Sequence, residues 1–360
     1  MESSLYSEFV TKFFAKLVTS VTELLNEKHT TQLPYLYKQY LTPDFTADSR
    51  WVSILAKYNR VAADVVALDS ELPLKSRDVI ETASGDIPKL GLKLYLTEKQ
   101  MKDIDSMIAQ RLPINTVINK IFQDTPKVIE SIYERIEDIF LSELSTGVGL
   151  SARNNGTGVR IDMHYLPENQ FGVSTIWGGN PTTCKPISDL ERVFDKASAD
   201  QNNITDIFAD DTWLKSFYKA DEVKSVFAFA SGFVGSNIPD LSLEQATSVL
   251  KTKFGVNFHR VNRSIKTEIN GIQIPHKPWA NGVCVLTCDS TLGSLIWTNV
   301  AESTRPVSGV SYQTTDDFIL VSKYSSNDPL REFTSSQAMC CPVINNVNRI
   351  YTLNSTQIQA

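Results

Sequence analysis

The chain has 360 residues, of which 42% are hydrophobic and 21% are charged, a composition typical of globular proteins. A formal net charge of -6 argues against a dedicated nucleic-acid-binding protein, because phosphate contacts require a basic face. The five cysteines are too few, and odd in number, for a disulfide scaffold, which favours reduced thiols in a cytoplasm. No long apolar run predicts a membrane span, and MESSLYSEF lacks the features of a signal peptide.

Residues 3–28 predict an amphipathic helix. Apolar residues recur at helical spacing and form one wide stripe: Leu5, Tyr6, Phe9, Val10, Phe13, Phe14, Leu17, Val18, Val21 and Leu24. Membrane-surface helices usually have a lysine- and arginine-rich polar face, whereas acidic and basic residues are mixed on this one. We therefore expect the helix to pack on its own subunit or on a neighbouring one.

Residues 29–60 are aromatic and irregular, with prolines at positions 34 and 43. Tyr35, Tyr37, Tyr40, Phe45 and Trp51 all require burial, which a free linker would not provide. The segment is therefore expected to be an extended arm that lies on other elements.

Residues 62–96 contain two apolar runs, ADVVAL and LGLKLYL, on either side of a polar middle rich in charges and turn formers. The second run alternates as a half-buried strand does. The pattern favours a long two-stranded hairpin, which is marginal in isolation. We expect it to project from the chain and to be stabilised by another subunit.

Residues 97–146 have the apolar spacing of a very long helix. Thr97 and Gln100 have capping-box spacing at its start, and Gly147 is a suitable stop. Pro113 and Pro126 each stand where a new helical segment could begin. The stretch therefore predicts a spine built in segments, bent at its prolines.

The glycines at 147–158 could suggest a phosphate-binding loop, but such a loop lies between a strand and a following helix. Here the order is helix, glycines, strand, which indicates a helix exit and a hairpin turn instead. Residues 186–330 then read as mixed α/β, with helices at 187–200, 211–230 and 241–255 and a hairpin turn at Asn270-Gly271. Strands at 158–166 and 337–353 flank this block, which suggests one discontinuous domain interrupted by an inserted one.

No catalytic, cofactor-binding or metal site is predicted. Cys284 and Cys288 lie in an apolar β-run, where small buried side chains explain them better than zinc ligation does. The histidines are scattered, and no nucleophile elbow or zinc-protease motif occurs. Asp210-Asp211 precedes a helix and is explained as a cap.

The order of these parts resembles the major capsid proteins of tailed phages, in particular the lambda-type capsid protein E family with its Hong Kong 97-type fold. The stretch VVALDSELPLKSRDVIETASGDIPKLGLKLYLTEKQ looks like the extended loop of that family and the lead into its spine helix. DTWLKSF, FGVNFHRVN, NGIQIP and ANGVCVLTCDSTLGSLIWTNVAE look like its axial domain, and DPLREFTSSQAMCCPVINNVNRIYTLN resembles the return to its peripheral domain. The resemblance covers nearly the whole chain beyond residue 30. It lies in the order of the segments and in their general residue patterns.

The resemblance implies an α+β capsid fold with an N-terminal arm, an extended loop (E-loop hairpin), a long spine helix, a peripheral (P) domain and an axial (A) domain. The expected boundaries are 1–60 for the helix and arm, 61–96 for the extended loop, 97–185 for the spine and first peripheral part, 186–330 for the axial domain, and 331–360 for the return. Intersubunit contacts are expected at charged loop residues, namely Lys75, Arg77, Asp78, Glu81, Asp86 and Lys89.

The implied function is a shell subunit without enzymatic activity, assembling with itself into the hexamers and pentamers of an icosahedral phage head. The shell would enclose double-stranded DNA without sequence-specific binding and would be assembled in the bacterial cytoplasm. Portal, scaffolding or decoration proteins are the expected partners, and no membrane is. Two alternatives remain open: an encapsulin-like cellular compartment, and an α/β enzyme with an unrecognised site.

Overall fold

The computed structural model of the chain describes residues 1–31, 34–56, 80–150, 160–232, 240–269 and 271–359. These residues form two compact units. The first unit contains Met1–Trp51, Gly85–Asp138 and Ser294–Val343, and the second contains the other described residues. Each unit is therefore assembled from segments that lie far apart in the sequence.

Helices and strands occur in both units and are numbered in chain order. The helices are α1 (Ser7–Thr31), α2 (Leu36–Tyr40), α3 (Glu98–Ala109), α4 (Ile114–Ile121), α5 (Thr125–Thr146), α6 (Pro186–Ala199), α7 (Asp211–Lys219), α8 (Asp221–Ala230), α9 (Leu243–Phe254) and α10 (Ala301–Thr304). The strands are β1 (Leu41–Phe45), β2 (Arg50–Ala56), β3 (Ile80–Asp86), β4 (Lys89–Leu96), β5 (Val148–Leu150), β6 (Arg160–Asp162), β7 (Gln170–Val173), β8 (Asp206–Ala209), β9 (Asn257–Arg260), β10 (Ile265–Ile269), β11 (Ile272–His276), β12 (Val283–Thr287), β13 (Gly293–Thr298), β14 (Ser311–Thr315), β15 (Ile319–Asn327), β16 (Leu330–Ile344) and β17 (Ile350–Ile358).

The long strand β16 organises the sheet of the first unit. The strand order is β1-β13-β16-β15-β14, and β4 pairs with β16 as well. Antiparallel pairing joins β16 to β15 over Leu330–Ala338 and to β4 over Glu332–Met339. Helix α1 contributes Val10, Phe14, Val18 and Leu25 to the buried core of this unit, and Tyr6, just before the helix, is buried as well.

The apolar run LGLKLYL forms the strand β4, as expected, and pairs along its whole length with β16. The other apolar run of the expected hairpin, ADVVAL, lies outside the described residues, so that pairing stays a prediction. A two-stranded ribbon in this part of the chain joins β2 to β3. Alternation predicts a half-buried strand correctly, but it does not say which strand is the partner.

The segmented spine is confirmed as three helices, α3, α4 and α5. Thr97 and Gln100 form the predicted capping box at the start of α3, and Pro113 is the residue that precedes α4. Pro126 lies in the first turn of α5, and Gly147 follows the end of that helix with a φ of +75°. Proline lacks the N–H that a helix interior needs, so Pro113 and Pro126 are tolerated at the starts of α4 and α5, where that donor is not required.

The second unit is built on a sheet with the strand order β7-β17-β12-β8-β9. Its core includes buried residues from α6, α7 and α9 together with strands β12 and β17; Leu190, Trp213, Leu250, Cys284 and Tyr351 belong to it. The predicted cap and stop of α9 are confirmed, because the Ser242 side chain accepts a hydrogen bond from the Gln245 N–H and Gly255 adopts the left-handed conformation.

The single helix expected over 211–230 is two helices, α7 and α8, which meet at Ala220. Ala220 is extended, with φ of -67° and ψ of 136°, and it is fully buried. The apolar pattern continues through this junction, so periodicity alone did not mark the break. The cap expected at the start of α7 is confirmed, since the Asp210 carboxylate accepts a hydrogen bond from the Trp213 N–H.

The compact units divide the chain differently from the expected axial block at 186–330. Strands β13, β14 and β15 belong to the sheet that contains β16, so residues 294–327 lie in the first unit. Strand β17, which was expected to return to the peripheral domain, pairs with β12 in the sheet of the second unit. The apolar content of a strand does not indicate which of the two sheets it joins, so the sequence did not assign β13–β15 and β17 correctly between them.

Candidate functional site

The six predicted contact residues lie between the end of β2 and the start of β4 in the sequence. Glu81 lies in β3, Asp86 ends that strand, and Lys89 begins β4. The other three lie outside the described residues: Lys75, Arg77 and Asp78.

Asp86 and Lys89 form ion pairs within the first unit. The Asp86 Oδ1 atom lies 3.9 Å from Nε of Arg50, and both side chains are exposed, so this pair contributes little to stability. The Lys89 ammonium donates to the carboxylate of Glu302 at 3.2 and 3.4 Å. Partial burial opposes ionisation of Glu302, but hydrogen bonds, including that from Lys89, hold its pKa below the usual value.

The base of the loop is fixed by the packing of Trp51 on Gly85. A Cβ atom at Gly85 would lie 2.9 Å from the indole Nε1 of Trp51, so only glycine fits without displacing that buried ring. The Ile87 N–H also donates to the Ser49 carbonyl oxygen at 2.9 Å. The described root of the loop is therefore held in one position.

The arm after α1 is anchored on α5 by two glutamates. The carboxylate of Glu137 accepts hydrogen bonds from the Leu36 and Tyr37 backbone N–H groups at 3.0 and 3.1 Å. The Tyr35 hydroxyl donates to Glu134 at 2.8 Å. Because Glu137 is buried and meets the N-terminus of α2, these are charge-assisted contacts with otherwise unsatisfied donors.

The expectation that the arm lies on other elements is confirmed for Tyr35, Tyr37 and Trp51, which are buried. Phe45 is half exposed but packs on Trp297, with ring centroids 4.8 Å apart. The arm is not extended throughout, because α2 forms within it. Pro34 permits this helix because it precedes the first turn.

A cation from the arm completes the contact with α5. Nζ of Lys38 lies 3.6 Å from the ring centroid of Tyr133 and 3.7 Å from Oδ2 of Asp316. The Tyr133 hydroxyl donates a hydrogen bond to the same Asp316 carboxylate. Burial lowers the pKa of Lys38, against the opposing effect of Asp316. Arm, spine and the turn before β15 are thus joined by one polar cluster.

The segment before α1 is held by a buried acid–base pair. The Glu332 carboxylate accepts hydrogen bonds from the Ser4 hydroxyl and, at 3.0 Å, from the Leu5 N–H. Lys323 lies 3.7 Å from the same carboxylate, and both side chains are fully buried. Its ammonium also donates to the Ile121 carbonyl oxygen at 3.1 Å and to Thr334 Oγ1 at 3.0 Å. Burial lowers the pKa of Lys323 and raises that of Glu332.

These anchors were not identified from the sequence, although a weak signal exists for one of them. Lys323 stands inside the apolar run ILVSKYSS, where Val321 and Ser325 occupy the same face of the strand and are buried. A lysine on a buried face requires a partner. The sequence does not show that the partner is Glu332, which lies on the adjacent strand.

The apolar stripe of α1 is wider than the face that the first unit buries. Phe9, Phe13, Leu17 and Val21 are only partly buried, and Leu5 and Leu24 are 45% and 64% exposed. Acidic and basic residues border this outer face, as the sequence indicated. The outer face is therefore the part of the helix that remains available for contact.

The second unit contains a buried carboxyl group that was not predicted from the sequence. Glu143 of α5 is fully buried, and its two carboxyl oxygens have no hydrogen-bond partner in the described part of the chain. Burial raises its pKa well above the usual value. A Cβ atom at Gly149 would lie 2.6 Å from Oε1 of Glu143, so β5 approaches this side chain closely because it has glycine there.

An acid–imidazole pair with a short contact distance lies in the second unit. Nε2 of His259 lies 2.7 Å from the Asp206 carboxylate, and the imidazole stacks on Phe208. The Asp206 carboxylate also accepts a hydrogen bond from the Thr205 hydroxyl at 2.6 Å. These hydrogen bonds, including that to His259, outweigh the desolvation that opposes ionisation and lower the pKa of Asp206. The Thr205 hydroxyl and the His259 imidazole therefore both contact the Asp206 carboxylate.

Thiol chemistry and metal binding have no arranged site in the described residues. All five cysteines are buried thiols outside any disulfide, and burial raises the pKa of Cys288 to about 12. No group of three or more histidine, cysteine, aspartate or glutamate side chains is placed to hold a metal ion in the ranges that the structure describes. Among those same residues, no helix has both the length and the apolarity required to cross a membrane.

Comparison with solved structures identifies the fold. The chain is similar to a protein assigned as the capsid protein of a prophage of E. coli CFT073, with a TM-score of 0.55 and 12% identity over 93% of this chain and 98% of that one. A phage-related protein from Bordetella bronchiseptica RB50 aligns with a TM-score of 0.49 and 11% identity, covering 96% and 98% of the two chains. A virus-like particle from Pyrococcus furiosus aligns with a TM-score of 0.43 and 11% identity over 95% and 99%.

No protein-family model matches the sequence. No curated protein matches it either. The assignment therefore rests on the similarity to the prophage protein, which extends over nearly the full length of both chains. That similarity agrees with the order of arm, segmented spine and two sheets in the described residues. The chain has the α+β Hong Kong 97-type fold of phage capsid proteins.

Proposed function

We propose that this chain is the major capsid protein of a tailed phage and that its copies assemble into the hexamers and pentamers of an icosahedral head. The observation that carries the proposal is the full-length similarity to the prophage capsid structure, with 98% of that chain covered at a TM-score of 0.55. A shell subunit needs surfaces that are stable only when neighbours cover them. The exposed outer face of α1 is one such surface.

In this proposal the first unit is the peripheral domain and the second is the axial domain. The loop between β2 and β3 reaches a neighbouring subunit, and its charged residues, with Lys75, Arg77 and Asp78 foremost, make the contact. The ion pairs of Asp86 and Lys89 support a role for those two residues at the root of the loop instead. The net charge of -6 suits an inner wall that encloses DNA without binding it tightly.

In this proposal the chain is a structural subunit without enzymatic activity, because its fold is that of a phage capsid protein. It places the protein in the virion after assembly in the host cytoplasm. Portal, scaffolding or decoration proteins are its partners besides further copies of the chain.

Electron microscopy of the purified full-length chain tests the proposal. We expect closed shells, capsomers or tubes, together with a fast-sedimenting species in analytical ultracentrifugation. A chain that remains monomeric over the accessible concentration range would refute the proposal. Shells purified from cells that contain an enzyme in place of DNA would favour a cellular compartment of the same fold.

Charge reversal in the loop tests the contact residues separately. Lys75→Glu combined with Arg77→Glu is expected to abolish assembly and to leave the circular dichroism spectrum of the subunit unchanged. Lys75→Arg combined with Arg77→Lys preserves both charges and is the matched control. Assembly of the charge-reversed chain at wild-type concentrations would exclude these two residues from the contact.

A further inference from the structure

The ribbon formed by β10 and β11 is only partly covered by the rest of the second unit. These two strands pair only with each other among the described residues, and an isolated two-stranded ribbon is marginally stable in water. Its base is buried, because Ile265 and Thr267 are 3% and 5% exposed. Its tip is not, because Ile272 and Ile274 are 66% and 46% exposed.

The buried base and the exposed tip belong to one face of the ribbon. Thr267 is paired with Ile274, and Ile265 and Ile272 each lie two residues along the strand from one of them, so these four side chains share a face. Lys266 is exposed and points to the opposite face, since neighbouring residues of a strand alternate. The apolar face therefore continues past the region that the second unit covers.

The two edges of the ribbon differ in what they offer to another strand. The Ile269–Ile272 pair closes a two-residue turn, so it is hydrogen-bonded, and the pairs then alternate along the ribbon. It follows that the backbone groups of Lys266 and Glu268 point away from β11. On the outer edge of β11 the corresponding residue is Pro275, which has no N–H to donate. The edge of β10 is the one that retains every donor and acceptor.

Within the described part of the chain, that edge has no backbone partner. No further backbone hydrogen bond is made by Lys266 or Glu268 to a described residue outside the ribbon. Natural proteins often protect such an edge with charges, and like charges would repel a second copy. The two exposed charges here have opposite signs and are separated by the single residue Thr267.

This spacing makes the edge complementary to itself. If two copies of β10 run antiparallel with their Thr267 residues opposite each other, Lys266 faces Glu268 of the partner subunit, and the reverse holds by symmetry. A parallel arrangement in the same register would bring like charges together. The antiparallel pairing also gives the outward N–H and C=O groups of both residues their partners.

We propose that β10 is a self-complementary edge through which two copies of this chain pair about a two-fold axis. The order β11-β10 of each copy then gives a continuous four-stranded sheet, with the exposed isoleucines of both copies on one face. This contact rests on the proposed function, because it is one of the contacts through which a shell of identical chains is built. It adds to that function a specific surface, register and symmetry.

Charge exchange tests the register. Lys266→Glu alone or Glu268→Lys alone places like charges opposite each other twice in each contact, and either is expected to raise the subunit concentration required for assembly at least about tenfold. Lys266→Glu combined with Glu268→Lys restores opposite charges and is expected to return that concentration to the wild-type value. An equimolar mixture of the two single variants should also assemble. Light scattering and electron microscopy measure each case.

Disulfide formation tests the geometry independently of net charge. In Lys266→Cys combined with Glu268→Cys, the facing Cα atoms would be about 5.5 Å apart, within the range of a disulfide. In Lys266→Cys alone, the two thiols are offset by two residues and are too far apart. We expect covalent dimers from the double variant only, and the native cysteines, which are all buried, should not interfere.

The outcomes separate this proposal from the proposed function. Wild-type shells together with unaltered assembly of both single charge variants and no cross-linking would overturn the β10 contact and leave the shell function standing. Cross-linked dimers from a chain that never forms shells would support the contact and refute the shell. Failure of the charge-exchanged double variant to recover, with wild-type shells present, would refute the antiparallel register.

Discussion

Replacement of Lys323 by methionine is expected to destabilise the first unit strongly. Methionine has a similar length, so the substitution removes the charge and its hydrogen bonds with little change in packing. It deletes the bonds to the Ile121 carbonyl oxygen at 3.1 Å and to Thr334 at 3.0 Å. It also leaves the carboxylate of Glu332, which is fully buried, without its cationic partner. Removing one member of a buried ion pair costs about 3–5 kcal/mol.

A second substitution distinguishes the cost of the unpaired Glu332 charge from the cost of the hydrogen bonds that Lys323 loses. Lys323→Met combined with Glu332→Gln leaves a neutral amide whose oxygen can still accept from Ser4 or Leu5. The double variant is therefore expected to be about 1–2 kcal/mol more stable than Lys323→Met alone, because no unpaired charge remains buried.

Amide hydrogen exchange of β15 and β16 at increasing urea concentration measures these differences within the first unit. Lys93→Met is the matched control, because Lys93 is exposed on the same sheet and lies 3.9 Å from the ring centroid of Phe333. It is expected to cost less than about 1 kcal/mol. A Lys323→Met variant as stable as this control, or a double variant less stable than Lys323→Met, would refute the reasoning.

Three further results are expected. Burial raises the pKa of Glu143, so its contribution is fully present below the ordinary glutamate pKa and is lost as pH rises through the raised value. Glu143→Gln should therefore match the wild type in acid and exceed it by about 1–3 kcal/mol in alkali, by urea titration; a difference independent of pH would contradict this. Glu137→Ala removes two backbone contacts of the arm and should make residues 34–40 accessible to protease, whereas Glu134→Ala, which removes one hydroxyl contact, should do so less. Gly85→Ala forces the Trp51 ring to shift and should red-shift its fluorescence and destabilise the first unit by about 1–3 kcal/mol; wild-type stability would show that the ring moves freely.

The features that the sequence predicted correctly are those governed by local chemistry. The caps at Thr97, Asp210 and Ser242 and the restart at Pro113 depend on a few neighbouring residues, and the structure has all four. The same holds for the β10–β11 hairpin, whose register leaves two residues for the turn. Such features are decided within one helical turn or one hairpin.

The features that it did not predict depend on partners far away in the chain. β4 pairs with a strand more than 200 residues later, and its alternation carries no information about that choice. Glu137 and Glu332 each hold backbone N–H groups of segments about 100 residues away or more. An acidic residue that serves such donors has the same local pattern as a solvated one. The pattern at 62–96 predicts a projecting segment, but its contact residues were expected from the resemblance alone and remain a prediction.

The five buried thiols have a practical consequence for labelling the protein. A maleimide reacts with thiolate that it can reach, and here burial both blocks access and suppresses ionisation, with the pKa of Cys288 raised to about 12. A single cysteine introduced on the surface should then carry a dye or spin label with almost no background. Pairs of such labels would report distances during association without first removing any native residue.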